Sequence, residues 1–211
     1  MKQFNLKAFF ITLLLFTSII TSMSVISFKS ISAATTTSEI LSATVEPKQI
    51  DSTQIHFYMA KEVEADQIIN DKNFAPSMNK AELTDLLIYI DSLCNDYDID
   101  YKYVKAIIAN ESRWKQNAVG SSLDYGLMQI TPIASKAVGL NHGEQLFEPK
   151  YNVLSGIKLL ARLHIRLDTI EEVLVAYNAG IGNVKKYGNN WVQKHKYLKG
   201  VNKWLKHYEQ A

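Results

Sequence analysis

The stretch DYKYVKAIIANES, residues 100–112, sets the fold. Asp100 has the short acceptor side chain of a helix N-cap. Val104, Ile107 and Ile108 follow at spacings of three and four, the apolar stripe of an amphipathic helix. The pattern ends on Glu111-Ser112, so a carboxyl group leans on apolar surface. Burial disfavours the carboxylate and raises its pKa. A carboxyl that keeps its proton near neutral pH is what general acid catalysis requires. A solvated glutamate at a helix end would read the same, so the dipeptide alone does not settle the chemistry.

Helical patterns extend outward in both directions. Before Asp100, Leu83, Leu86, Leu87, Ile90 and Leu93 recur at spacings of three and four. Cys94 lies in that run and reads as a buried core residue. After Ser112, Thr131-Pro132 gives an N-cap followed by proline at the first helical position, and Gly139 ends that helix. Val153, Ile157, Leu160 and Leu163 or His164 form another stripe. Asp168 with Glu171 reads as a capping box opening the helix through Val173, Leu174 and Tyr177. Trp204, Leu205 and Tyr208 mark a terminal helix. No stretch alternates at strand length apart from a short turn or ribbon near residues 121–129. The expected fold is all-α, a single compact domain over 81–211.

The chain upstream is different in kind. Lys2 and Lys7 precede the uncharged run Ala8 to Phe28, and Ser32-Ala33-Ala34 follows. A basic start, an apolar core and small residues read as a secretory signal cleaved after Ala34. The run is long enough for an uncleaved membrane anchor instead. Seven Ser and Thr within it weaken the anchor reading. Either reading of residues 1–34 places the remainder outside the cytoplasm, since positive charge stays inside. Residues 35–80 read as an acidic linker or pro-region, with a short amphipathic piece over Gln54 to Asn70.

The formal charge of +2 conceals a polar split. Thr35 to Asp100 holds 4 basic and 13 acidic residues, a net of −9. Tyr101 to Ala211 holds 16 basic and 8 acidic, a net of +8. A basic surface of this kind favours an acidic polymer as partner. One cysteine excludes an intrachain disulfide and a four-cysteine zinc site. The five histidines show no metal-ligand spacing, and no phosphate loop or serine elbow is present. No metal and no cofactor are expected.

Three further stretches carry polar chemistry. Gly126-Leu127-Met128-Gln129-Ile130 places a turn-forming glycine beside an amide that can bond sugar hydroxyls and acetamides. Ala176-Tyr177-Asn178-Ala179-Gly180 ends a helix with a phenol, an amide and a glycine suited to the left-handed position. Tyr197 lies in a basic helical region. Each alone is compatible with ordinary packing.

In this order, Glu-Ser, Gly-Leu-Met-Gln, Tyr-Asn-Ala-Gly and a late tyrosine resemble the soluble lytic transglycosylase family of the lysozyme-like superfamily. The resemblance covers roughly residues 83 to 211, including Pro132 and Gly156. It implies that Glu111 is the catalytic acid/base, supported by Ser112. It implies that Met128 and Gln129 line the sugar site, with Tyr177 and Asn178 near the scissile bond. It implies that the Tyr197 hydroxyl bonds the glutamate. The implied substrate is peptidoglycan, cut between N-acetylmuramic acid and N-acetylglucosamine to leave 1,6-anhydro ends.

One departure bears on the product. Many family members carry Gly-Ala-x before Gly-Leu-Met-Gln, whereas this chain has Ser121-Ser122-Leu123-Asp124-Tyr125. That run also resembles the second catalytic stretch of animal-type lysozymes, so Asp124 is a candidate second carboxylate. Alternatively it holds its own loop, as turn aspartates do. A hydrolytic lysozyme and an inactive wall-binding or assembly protein are the competing readings. The basic run from Lys185 to Lys206, with Trp191, Tyr197 and Trp204 interleaved, has a nucleic-acid-like composition. In an exported protein its partner is expected to be the anionic cell wall, not nucleic acid, with the membrane touched only through an uncleaved N-terminal segment.

Overall fold

The computed structural model describes residues 51–140 and 143–210. The N-terminal apolar run, its cleavage or anchoring, and residues 35–50 lie outside them. The described chain forms nine α-helices and one 3-10 turn. They are α1 (Ser52–Asn70), α2 (Lys80–Tyr97), α3 (Tyr101–Glu111), α4 (Pro132–Ala137), the turn Gly143–Phe147, α5 (Pro149–His164), α6 (Ile170–Ala179), α7 (Ile181–Tyr187), α8 (Asn189–Lys194) and α9 (Lys196–Gln210). The expected ribbon reduces to two isolated antiparallel bridges, Val119–Tyr125 and Tyr125–Ile130. No described helix is long and apolar enough to cross a membrane.

The expected caps hold with one shift. Asp100 accepts from the Lys102 N–H and Thr131 from the Ala134 N–H, with Pro132 in the first turn of α4. The box opening α6 joins Thr169 and Glu172, not Asp168 and Glu171. Adjacent candidates at both ends of the motif offer two registers, and the threonine hydroxyl takes the cap.

Helix α3 lies at the centre. Val104, Ala106, Ile107, Ile108 and Ala109 are all essentially inaccessible. The stripes read from the sequence share one core with it: Leu83, Leu86, Leu87, Ile90 and Leu93 of α2, and Val153, Ile157 and Leu160 of α5, which packs on α2. Leu163, not His164, completes the α5 stripe. Cys94 is buried, and burial pushes its thiol up to about 12.

The stretch expected to be a linker departs most from its reading. Its described part, residues 51–80, is folded onto the domain. Helix α1 packs along α2 with Ala65 and Ile68 buried, and Phe74 and Met78 join the core. The buried Lys61 donates to Asp91 at 3.0 Å, lies 3.6 Å from Glu64, and sits 3.8 Å above the Tyr101 ring. Tyr101 donates to Glu64 at 3.0 Å, and Lys105 pairs with the same carboxylate. The amphipathic piece expected over Gln54 to Asn70 is this helix, but its docking on the domain was not legible because its apolar residues are split between faces. Ile55, Met59 and Val63 face solvent, while the inward face carries a lysine.

Ile68→Ala is therefore expected to destabilise the protein by about 2–5 kcal/mol, as deletion of buried methyl groups does. A denaturant titration checks this, and an unchanged midpoint would mean the segment is only a linker.

Candidate active site

Glu111 is the last residue of α3. Ser112 follows as a buried C-cap, its hydroxyl donating to the Ile108 carbonyl at 3.1 Å. That hydroxyl is turned back into the helix, so Ser112 supports the helix end on which Glu111 stands. The chain then turns through Arg113 and Trp114, both left-handed at φ 52° and 65°. Non-glycine residues adopt this region at a cost of roughly 1–2 kcal/mol each. Trp114 is fully buried, and its indole N–H donates to the Tyr208 hydroxyl at 2.8 Å.

Two tyrosines close on the glutamate. Tyr197, in the first turn of α9, is buried. Its hydroxyl completes no hydrogen bond of ordinary geometry among the described residues, yet it is near enough to Glu111 to draw the carboxyl's pKa down. Tyr177, from the last turns of α6, donates to the Met128 carbonyl at 2.8 Å and also feels the charge of Glu111. Burial acts first on Glu111 and raises its pKa, Tyr197 opposes it, and Asp124 raises it further. The outcome is about 7, against an ordinary 4.5. Burial also drives both tyrosines well above the usual phenol range.

The Gly126–Ile130 loop is fixed by a residue without a sequence signal. Asn152, fully buried on α5, accepts from the Met128 N–H at 2.8 Å. Its amide nitrogen donates to the Tyr125 and Leu146 carbonyls at 2.7 and 2.8 Å. Gly126 has φ 74°, and a Cβ there would lie 2.4 Å from both the Asn152 amide nitrogen and the Leu146 carbonyl. Met128 is wholly inaccessible, packed on Gly156, where a Cβ would fall 2.3 Å from its sulfur. Its side chain therefore does not line an open sugar site. Its contribution is the carbonyl that orients Tyr177. Gln129, at φ 48°, donates its amide to the Ala118 and Gly126 carbonyls at 3.2 and 2.9 Å and so ties the loop to itself. Asn178 is exposed at the end of α6.

Asp124 occupies the neighbouring turn. Its carboxylate accepts from the Ser122 N–H at 3.0 Å and fills the space above Gly120, where a Cβ would lie 2.1 Å from it. It holds the loop as turn aspartates do, and its charge still reaches Glu111. Among the described residues no group of His, Cys, Asp and Glu is arranged to hold a metal ion.

The structure thus brings Glu111, Asp124, Tyr177 and Tyr197 together, with Ser112, Met128 and Gln129 as their supports. Trp114 and Asn152 were absent from the sequence reading, and Tyr208 entered it only as a marker of the terminal helix. Each is an isolated residue in a helical or loop context, and only the fold shows what it bonds.

The domain is helical, with a half-buried glutamate of raised pKa at the end of its central helix. The family model for the transglycosylase SLT domain matches residues 88–199, just over half of the chain, and the chain belongs to that family. It is similar to a membrane-bound lytic murein transglycosylase F of Desulfosudis oleivorans, 28% identical over 103 residues, 46% of this chain and 22% of that protein. A protein of the same name from Cellvibrio japonicus is 31% identical over 101 residues, 44% of this chain and 20% of its own length. The chain thus spans about a fifth of the curated relatives it matches. Among solved structures, an inactive mutant of the lytic transglycosylase Slt of Pseudomonas aeruginosa aligns with TM-score 0.51 and 20% identity, covering 58% of this chain and 24% of that one. That likeness concerns the fold.

The raised pKa has a consequence for stability. Between about 4.5 and 7 the folded state binds more protons at Glu111 than the unfolded state. Stability should therefore fall as pH rises through that window. Glu111→Gln removes the penalty, so its stability relative to wild type should increase by at most about 3 kcal/mol between pH 4 and pH 8. Thermal melts at the two pH values check this, and a constant difference would contradict it.

Proposed function

We propose that the protein is an exported peptidoglycan lytic transglycosylase that cleaves the bond between N-acetylmuramic acid and N-acetylglucosamine and leaves 1,6-anhydro-muramic ends. The observation that carries this reading is Glu111, half-buried at the end of α3 where desolvation raises its pKa, while Asp124, the carboxylate whose charge reaches it, is committed to its own loop.

One carboxyl group suffices for the chemistry. Protonated Glu111 gives its proton to the glycosidic oxygen as the bond to the anomeric carbon breaks. The muramic N-acetyl oxygen stabilises the cationic carbon from within the substrate, as in substrate-assisted glycosidases. Glu111, now ionised, accepts the proton of the muramic six-position hydroxyl, which closes on the anomeric carbon. Glu111 must therefore be accommodated in both charge states. Burial favours the neutral form, and the unsatisfied Tyr197 hydroxyl is placed to donate to the ionised one. The intramolecular hydroxyl has a high effective concentration and outcompetes water.

Hydrolysis is the second reading, favoured by the electrostatic reach of Asp124 to Glu111. There Asp124 would stabilise the cation or attack it, and the product would carry a reducing end. Export rests on residues 1–34 read as a signal or anchor. The basic half from Tyr101 onward suits an anionic wall.

Mass spectrometry of digested wall separates these outcomes: anhydro ends are expected, reducing ends would indicate hydrolysis, and neither product would remove the enzymatic reading. Glu111→Gln should lower the rate at least ~100-fold, the scale of a lost general acid. The wild-type kcat/KM should decline with rising pH about a midpoint near 7.

A further inference from the structure

Helix α9 contacts the catalytic helix at both ends and runs antiparallel to it. Its Tyr197 faces Glu111. Gly200 lies against Asn110, where a Cβ would come within 2.4 Å of the side-chain oxygen. Tyr208, at the far end, has its ring 4.7 Å from the Lys105 ammonium. Beyond Glu111 the chain doubles back through Arg113 and Trp114, and the Trp114 indole reaches the Tyr208 hydroxyl. The turn is also gripped from behind. Phe74 stacks on Tyr208 at 5.9 Å, and the Ala75 N–H donates to the Arg113 carbonyl at 3.0 Å. Phe74, Ala75 and Tyr208 all lie outside the residues 88–199 matched by the family model.

We propose that Tyr208 is a positioning residue for Glu111: bonded to Trp114 and backed by Phe74, it fixes the left-handed turn after Glu111-Ser112 in register with Tyr197. One helix then sets both the glutamate's neighbour and the geometry of the backbone that carries it. The proposal rests on Glu111 being the acid. Tyr208 itself bonds Trp114 and acts on Glu111 only through the turn. The titratable groups that face Glu111 are Tyr197 of α9, Tyr177 of α6 and Asp124 of the preceding loop.

Tyr208→Phe keeps the ring and removes the acceptor of the indole N–H. Trp114→Phe keeps an aromatic side chain and removes the donor. In the full chain each should lower kcat by about tenfold with KM within twofold, the signature of a misplaced group and not of lost binding. The double variant should be no worse than the weaker single, because both break one bond. The Glu111 carboxyl, followed by carbon NMR with labelled glutamate, should titrate closer to the ordinary carboxylate range in both variants than in wild type. Variants that melt earlier but keep the wild-type kcat and Glu111 midpoint would overturn the proposal and leave Tyr208 a purely structural residue. If the wild type cuts no wall, the reading of Glu111 as acid fails by itself. The Glu111 midpoint then decides: a shift supports the positioning role and its absence refutes it.

Discussion

A carboxyl group at the buried end of a helix resists ionisation, and the rest of this site depends on that resistance. Glu111 stands where α3 emerges from the core, with Tyr197 and Tyr177 beside it and Asp124 within electrostatic reach. Burial is the dominant effect on its pKa. Anything that admits water to the end of α3 would weaken it. Helix α9 brings Tyr197 to Glu111 and α6 brings Tyr177, while Phe74 and Ala75 grip the turn that follows.

The loop shows how little freedom the arrangement leaves. Met128 is at once a core side chain, a donor to Asn152 and an acceptor from Tyr177. Gly126 and Gly156 are the points where the neighbours come too near for a Cβ. Asn152 bonds three backbone groups, the Met128 N–H and the Tyr125 and Leu146 carbonyls, and so helps keep buried polar groups paired, as folded proteins require. Through these contacts a short apolar motif with one amide holds Tyr177 beside Glu111 without itself lining open space.

Much of this was legible in the sequence, for definite reasons. The stripes of α2, α3 and α5 have one apolar face each, and periodicity reports such helices directly. The cap at Asp100 and the Thr131-Pro132 start need only local chemistry. Glu111 stood out because a polar residue ended an apolar stripe. Helix α1 was read as a short amphipathic piece within a linker and not as part of the domain, because its apolar residues are divided between the core and solvent and its inward face carries Lys61. The charge split of the sequence gains a meaning from that helix. Its acidic Glu64 meets the basic half directly at Lys105. The Trp114–Tyr208 bond and those of Asn152 to Tyr125 and Met128 were illegible because their partners are distant in the chain, 94 residues in the case of Trp114 and Tyr208.

The central claim is that burial keeps the proton on Glu111 at neutral pH. Carbon NMR titration of the carboxyl in the intact protein tests it most directly, with Glu111→Gln to assign the signal. A midpoint near 7 is expected. A midpoint near 4.5, the ordinary value for a glutamate, would contradict it.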